Sequence, residues 1–271
     1  MLVICNGMGR SGSTLQYNWA RELVETAGAG VSHGFVAGDP EHSQGVPHEE
    51  MIGWAQDSAY HVMKIHTVHP VLPALLEDPN VRVCYIYRDL RDVAVSMIST
   101  WGWRREKLAS ALEFEVNNYR ELDSLRTRAD RLFLWQRYEE VMVDPFGAVR
   151  QIAEFLDLSV DDEKLSAVVD ACSLEVAKRI GAVQKHMVRT AIQERRDADG
   201  ASQAALSLEV LGRGQRDASM IMRDPRTGLM YNHISRHEGQ SDVWKRALPQ
   251  VELDALMGQY KWWLEDAGYE V

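Results

Sequence analysis

The chain has 271 residues, which is enough for one large domain or two small ones with a substantial core. Its 45% hydrophobic and 26% charged residues are typical of a globular protein, not of a disordered or fibrous chain. With 30 basic and 40 acidic side chains the net charge is −10, which excludes general electrostatic attraction to nucleic acid or to anionic membranes. A polyanionic ligand would therefore need a local basic pocket.

The cysteines and the N-terminus bear on where the protein resides. Three cysteines, at positions 5, 84 and 172, show neither a pairing framework nor the spacing of metal ligands, as expected in a reducing compartment. No charged region followed by a long apolar segment opens the chain, so we predict neither a signal peptide nor a membrane anchor. We expect a cytoplasmic protein.

Short apolar runs alternate with amphipathic stretches along the chain. Strands are predicted at residues 2–5, 61–66, 82–87 and 131–136. Helices are predicted at residues 13–27, 89–99, 107–126, 146–156, 162–172 and 251–266, and loops at 33–50 and at 195–230, the latter with a short helix near 204–211. This alternation predicts a parallel sheet covered by helices on both faces, with ligands beyond the carboxyl ends of its strands. No convincing linker divides the chain, so we predict a single domain over residues 1–271.

The first predicted strand runs directly into a glycine-rich loop, residues 7–14, which read GMGRSGST. Such a strand–loop–helix corner points backbone N–H groups and a helix N-terminus at one place, as a phosphate requires. The spacing of Gly7 and Gly12 is nearly that of a nucleoside-triphosphate P-loop, but Ser13 stands where the lysine should follow. A basic residue, Arg10, comes earlier in the loop. The loop therefore predicts a phosphate site that is poorly equipped for the γ-phosphate of ATP, although the glycines could also serve only a tight turn.

A second candidate anion site follows the strand at 82–87. Arg88 comes directly after this strand, and Asp89 with Asp92 predicts an N-cap with capping-box character for the helix that follows. Ser96 lies about two turns inside that helix, so Arg88 and Ser96 could bind one phosphate together. Taken alone, the pair also fits a surface arginine and a serine tolerated within a helix.

Together, the glycine loop and the segment 87–96 (YRDLRDVAVS) resemble the motifs of the sulfotransferases, and residues 137–145 (RYEEVMVDP) provide a third landmark. The resemblance implies a three-layer α/β/α fold with a central parallel sheet, like that of the P-loop NTPases. It implies 3′-phosphoadenosine-5′-phosphosulfate (PAPS) as sulfuryl donor and adenosine 3′,5′-bisphosphate (PAP) as product. The donor's 5′-phosphosulfate would be held by the loop residues Gly9, Arg10, Ser11, Gly12, Ser13, Thr14 and Leu15. By the same resemblance Arg88 and Ser96 would bind the 3′-phosphate, and Tyr138 would approach the adenine.

Two basic residues on the predicted strand 61–66 are candidates for catalysis. Alternation along a strand places Lys64 and His66 on the same face. The pair resembles the Lys-x-His of cytosolic sulfotransferases, which implies that His66 is the base and that Lys64 and Arg10 stabilise charge on the sulfuryl oxygens. No metal is required by this scheme. Some branches of the family use glutamate as base, and a purely structural role of His66 also remains open.

Residues 235–245 (SRHEGQSDVWK) resemble a stretched form of the late motif that closes over the 3′-phosphate in this family, which implies roles for Arg236 and His237. An ordinary polar turn is the alternative. The acceptor would be a hydroxyl or amine of a small molecule or a carbohydrate, and its identity and the oligomeric state are not predicted. Two other functions stay open: a P-loop kinase or NTPase, which would need a loop lysine and a Mg²⁺-binding aspartate at a strand end, and a catalytically inactive nucleotide-binding homologue.

Overall fold

A computed structural model describes residues 1–38, 42, 44–199, 224, 226–230 and 233–271, with the backbone alone for 191–199. The chain divides into two compact units, the first formed by Met1–Cys172 with Ser235–Val271 and the second by Ser173–Ile234. The prediction of a single functional domain over 1–271 stays a prediction.

The first unit contains a five-stranded sheet in which every pair of neighbouring strands is parallel. Its strands are β1 (Leu2–Gly7), β2 (Gly30–Phe35), β3 (Tyr60–Lys64), β4 (Val81–Tyr87) and β5 (Phe133–Arg137). The order is β2-β3-β1-β4-β5, so β1 lies in the centre with β3 on one side and β4 on the other. From β1 the chain runs to the edge strand β2, returns to β3 beside β1, and then crosses to β4 on the other side of β1. The carboxyl ends of β3, β1 and β4 therefore lie side by side, at the position where such sheets bind ligands.

Helices cover both faces of this sheet. They are α1 (Ser13–Thr26), α2 (His48–Gln56), α3 (Leu72–Leu75), α4 (Leu90–Trp101), α5 (Arg105–Arg126), α6 (Tyr138–Val143), α7 (Pro145–Phe155), α8 (Asp162–Ala171), α10 (Trp244–Ala247) and α11 (Gln250–Asp266), while α9 (Leu174–Asp199) belongs to the second unit. No helix among the described residues is both long and apolar enough to cross a membrane.

The central strand β1 shows how the two cores form. Because successive side chains of a strand point to opposite faces, Leu2 and Ile4 lie in a cluster built with α2, α4, α5 and α11. Val3 and Cys5 lie in the second cluster, built with α1, α7 and α8. The predicted parallel sheet covered on both faces is confirmed.

Several predicted boundaries are wrong, among them the start of the strand predicted at 131–136, because Asp130–Leu132 form a short 3-10 helix and the strand begins at Phe133. The segment 33–50 is not one loop, because β2 extends to Phe35 and α2 begins at His48. The third strand ends at Lys64, so His66 lies in the following loop and the argument from strand alternation does not apply to it. Residues 195–199, predicted as loop, continue helix α9, and the short helix near 204–211 lies outside the described residues.

Candidate active site

Two residues of the glycine loop between β1 and α1 have a left-handed backbone conformation. Arg10 has φ 67° and Gly12 has φ 86°, the conformation that glycine adopts most easily. The buried Ser11 hydroxyl lies 2.6 Å from the carbonyl oxygen of Met8 and 3.0 Å from that of Ile86, so it donates into the protein and fixes the loop to β4. The amides of Ser13 and Thr14, the first two of α1, have no acceptor within the helix, whereas those of Leu15 and Gln16 donate to the carbonyl oxygen of Gly12. The corner can therefore bind an anion through its backbone.

Lys64 and His66 both contact this loop. The buried Lys64 ends β3, and its Nζ donates a hydrogen bond of 2.7 Å to the hydroxyl of Thr14 at the start of α1. The half-buried His66 places Nδ1 3.1 Å from the carbonyl oxygen of Gly7, at the end of β1. A carbonyl only accepts, so Nδ1 carries the proton and Nε2 of the neutral ring is the proton-accepting nitrogen. The adjacent ends of β1 and β3 thus bring an ammonium group and an imidazole ring to one loop.

The side chain of Arg10 extends from the loop to helix α4. Its Nε donates to the hydroxyl of Ser96 at 2.9 Å, its Nη2 donates to the hydroxyl of Thr100 at 3.2 Å, and its guanidinium lies 5.1 Å from the ring centre of Trp101. Burial, and secondarily the charge of Arg88, lower the pKa of Arg10 to about 10. The group remains a cation at neutral pH.

Arg88 lies at the carboxyl end of β4, as predicted, and is buried. Its Nη1 donates to the carbonyl oxygen of Arg10 at 3.3 Å and its Nη2 to that of Gln240 at 2.5 Å, while the guanidinium packs 4.4 Å from the ring centre of Tyr138. Its Nε is buried and has no hydrogen-bond partner among the residues that the structure describes. Arg88 and Ser96 are therefore connected through Arg10. The carbonyl oxygen of Arg10 accepts from Arg88, and its side chain donates to Ser96.

The predicted capping box at the start of α4 is half right. Asp89 is the N-cap and its carboxylate accepts from an amide of the first turn. Asp92 does not return to the amide of Asp89, which instead donates to Glu139 at 3.1 Å. The two carboxylate oxygens of Asp92 accept from the amides of Asp242 (2.8 Å) and Trp244 (2.9 Å). The capping box is wrong because Asp92 anchors the chain 150 residues further on.

The part of the chain that Asp92 anchors is the C-terminal segment, defined here as residues 235–245. Tyr138 donates to the carbonyl oxygen of Gly239 at 2.7 Å, and Gly239 has φ 77°, so the turn that presents this carbonyl favours glycine. Backbone carbonyls of this segment reach Arg88, but the side chains of Arg236 and His237 contact each other at 3.1 Å between Nε and Nε2. Burial, assisted by Arg236, lowers the pKa of His237.

A carboxylate that sequence reasoning missed lies against the glycine loop. Oε2 of Glu115, on α5, accepts from the amide of Gly9 at 2.8 Å. Glu115 is 7% exposed, and burial raises its pKa to about 7 against the opposing effect of the Gly9 amide. A signal was present, because Glu115 follows Leu108 and Leu112 at helical spacing on the buried face of α5.

Comparison with known proteins decides the family. Residues 48–203, more than half of the chain, match the family described as the sulfotransferase domain. The chain belongs to this sulfotransferase family. The matched range includes Lys64, His66, Arg88 and Tyr138, whereas the glycine loop precedes it.

Individual relatives of this chain are distant. Sulfotransferase 1B1 of Mus musculus is 26% identical over 149 residues, 49% of each chain. Sulfotransferase 1A1 of Bos taurus is 26% identical over 148 residues, 49% of this chain and 50% of that protein. The chain thus spans about half the length of the curated relatives it matches.

A solved structure extends the likeness of the fold to the whole chain. The structure of retinol dehydratase in a complex with retinol and PAP has a TM-score of 0.58 and 17% identity, and the match covers 100% of this chain and 83% of that one. The α/β/α fold expected from the resemblance is confirmed.

Proposed function

We propose that this chain transfers a sulfuryl group from PAPS to a hydroxyl or amine of a small-molecule or carbohydrate acceptor, with PAP as the second product. The observation that carries the proposal is the meeting of Lys64 and His66 on the glycine loop, through hydrogen bonds of 2.7 Å and 3.1 Å. A cation and a base at one anion-binding corner fit a reaction in which a nucleophile loses a proton while an anionic group moves.

The described residues fit a polyanionic nucleotide donor. Three basic groups, Arg10, Lys64 and Arg88, surround one loop in a chain whose net charge is −10. Arg88 also has a buried Nε without a partner among the described residues, a donor that an anion could use. In our proposal the loop residues 9–15 hold the 5′-phosphosulfate, while Arg88 binds the 3′-phosphate together with Ser96.

Further contacts with the donor are proposed from the family resemblance. Tyr138 would contact the adenine, and Arg236 with His237 would close over the 3′-phosphate. Tyr138 already packs against Arg88, which supports a place next to the nucleotide. The bound PAPS supplies an activated sulfuryl group whose leaving oxygen belongs to a phosphate.

His66 is the proposed base. The hydrogen bond of its Nδ1 to Gly7 leaves Nε2 as the nitrogen that accepts a proton, so the ring can take the proton of the attacking hydroxyl or amine. Lys64 and Arg10 would stabilise the negative charge that develops on the sulfuryl and bridging oxygens. The scheme assigns no step to a metal ion.

The acceptor and the compartment are proposed more broadly. Retinol, named in the retinol dehydratase complex, is a small molecule with one hydroxyl, and this supports a small-molecule acceptor for the present fold.

The reduced, buried thiols of Cys5 and Cys84 support a cytoplasmic location.

Calorimetric titration with PAP, beside Mg²⁺·ATP, tests the donor class. We expect PAP to bind and ATP not to bind. Lys64→Met should weaken PAP binding about tenfold or more because it removes a buried cation at the loop, whereas Lys261→Met, at an exposed lysine of α11, should have no effect. Binding of ATP but not PAP would overturn the proposal and favour a kinase or NTPase.

A further inference from the structure

Glu115 has an unusual position for a carboxylate. It lies on the buried face of α5, and its Oε2 accepts the amide hydrogen of Gly9 inside the glycine loop. The approach is close because residue 9 has no side chain: a Cβ there would lie 2.6 Å from Oε1. Oε1 itself makes no hydrogen bond within the described part of the chain. One oxygen of the carboxyl thus holds the loop and the other has hydrogen-bonding capacity to spare.

In the part of the chain that the structure describes, this carboxyl has no cationic partner. Tyr85 faces it from β4 and Met97 lies beside it on α4, and among the described residues no ion pair includes Glu115. Tyr85 is itself neutral, because burial raises the pKa of its hydroxyl well above the ordinary value. A charge buried without a counter-ion is costly, and the usual relief is to bind a proton. Near neutral pH the Glu115 carboxyl is therefore divided between its charged and neutral forms.

We propose that Glu115 is a positioning residue of the donor loop that takes up one proton from solvent when the polyanionic donor binds, and releases it when PAP leaves. The inference rests on the proposed function, since it assumes that the loop holds PAPS. Donor oxygens at this loop would bring negative charge next to the carboxylate, which disfavours its ionised form.

Protonation also changes what the carboxyl can do. The neutral acid keeps a carbonyl oxygen that accepts from the Gly9 amide, and it gains an O–H that can donate to an anionic oxygen. The charged form offers only acceptors at a place where an anion must bind. Donor binding and proton uptake should therefore be coupled.

The test is calorimetric titration with PAPS, without acceptor, at pH 6 and pH 8 in two buffers of different ionisation enthalpy. Because one group with a pKa of about 7 must bind a proton, the Kd for PAPS should rise about tenfold between these pH values. The difference in heat between the buffers should correspond to nearly one proton taken up at pH 8.

Glu115→Gln separates this role from a merely structural one. The amide keeps a carbonyl and an N–H donor without any proton to gain, so it imitates the neutral acid. At pH 8 the variant should bind PAPS about tenfold more tightly than the unaltered protein, with the additional proton uptake abolished. Glu113→Gln, at an exposed position of the same helix, should behave as the unaltered protein and is the matched control.

Each outcome decides the proposal. Absence of PAPS binding at both pH values overturns the proposed function and this inference together. PAPS binding whose Kd and proton uptake are the same in the unaltered protein and in Glu115→Gln overturns the role of Glu115 alone. If Glu115→Gln does not fold, infrared difference spectra of the unaltered protein replace it. Addition of PAPS at pH 8 must then convert a carboxylate band into the C=O band of a protonated acid, and absence of that change contradicts the inference.

Discussion

Arg10 and Ser96 are joined by a hydrogen bond of 2.9 Å between Nε and the hydroxyl oxygen, although 86 positions separate them in the chain. The bond links the glycine loop to helix α4. Two motifs that the sequence presents as separate candidate anion sites are thus in direct contact, with Arg10 as the residue that joins them.

Ser96→Ala tests the role of the Ser96 hydroxyl in donor binding, both as the acceptor of Arg10 and in its proposed contact with the 3′-phosphate. The substitution removes the acceptor of Arg10 Nε, and a hydrogen bond to a charged group contributes about 1.5–3 kcal/mol. We expect PAP to bind roughly tenfold more weakly in calorimetry. Ser99→Ala removes a serine of the same helix whose hydroxyl only returns to the carbonyl of Ser96, and it should leave the affinity unchanged. If Ser96→Ala binds PAP as tightly as Ser99→Ala and the unaltered protein do, the Ser96 hydroxyl does not serve the donor.

His66→Ala tests the proposed base. We expect the rate of sulfuryl transfer from labelled PAPS to fall by about 10²–10⁴, the usual contribution of general base catalysis, while the Kd for PAP changes less than twofold. His186→Ala, an exposed histidine of α9, is the control for the loss of an imidazole. A transfer rate that survives His66→Ala would move the role of base to another group.

Asp92→Asn tests the anchor of the C-terminal segment. Asp92 accepts from two amides, and an asparagine turns its own N–H₂ towards one of them, so one hydrogen bond is lost and two donors face each other. We expect the free energy of unfolding to fall by about 2–3 kcal/mol in urea denaturation. Faster proteolytic cleavage within residues 235–245 should accompany it. Asp170→Asn, at an exposed site on α8, should change the stability by less than about 0.5 kcal/mol.

The pH dependence of folding gives a test of Glu115 that requires no ligand. The pKa of this group is about 7 in the folded protein against 4.5 ordinarily, so the folded state binds the proton more tightly than the unfolded state. Between pH 5 and pH 7.5 the stabilising effect of the proton is therefore lost as the pH rises, by about 2.5 kcal/mol relative to Glu115→Gln. Urea denaturation at pH 5 and pH 7.5 measures the difference. Parallel stability profiles for the two proteins would contradict the raised pKa.

The elements that the sequence predicted well are those with a strong local signal. Strand β1 and helix α1 flank a glycine loop, and α4 begins at an aspartate that caps it, so their boundaries agree with the predictions within one or two residues. Strand β2 was missed because GVSHGF has only two large apolar side chains and two glycines, and a shift in register interrupts its pairing with β3 between Ser32 and Gly34. Its strand conformation comes from that pairing, which local propensity does not contain.

The candidate site likewise has features that the sequence predicts and contacts that it does not. Residue types in the loop and after β3 and β4 predicted an anion site, because parallel strands bring their carboxyl ends together. Nothing in the spacing around Asp92 indicates that its partners are amides at residues 242 and 244, and nothing near Arg10 indicates Ser96. Such pairs depend on how distant segments pack, so only the three-dimensional structure provides them.

The carbonyl contacts of Arg88 have a kinetic consequence. Its Nη2 donates to the main chain at Gly239 and Gln240, within a segment that Asp92 and Tyr138 also hold. An anion that reaches this guanidinium must share or displace those carbonyls, so its arrival and departure are tied to the motion of the segment. In the proposed complex with PAP, the residence time of the nucleotide would then depend on how often the segment opens, and the dissociation rate of PAP would report that opening.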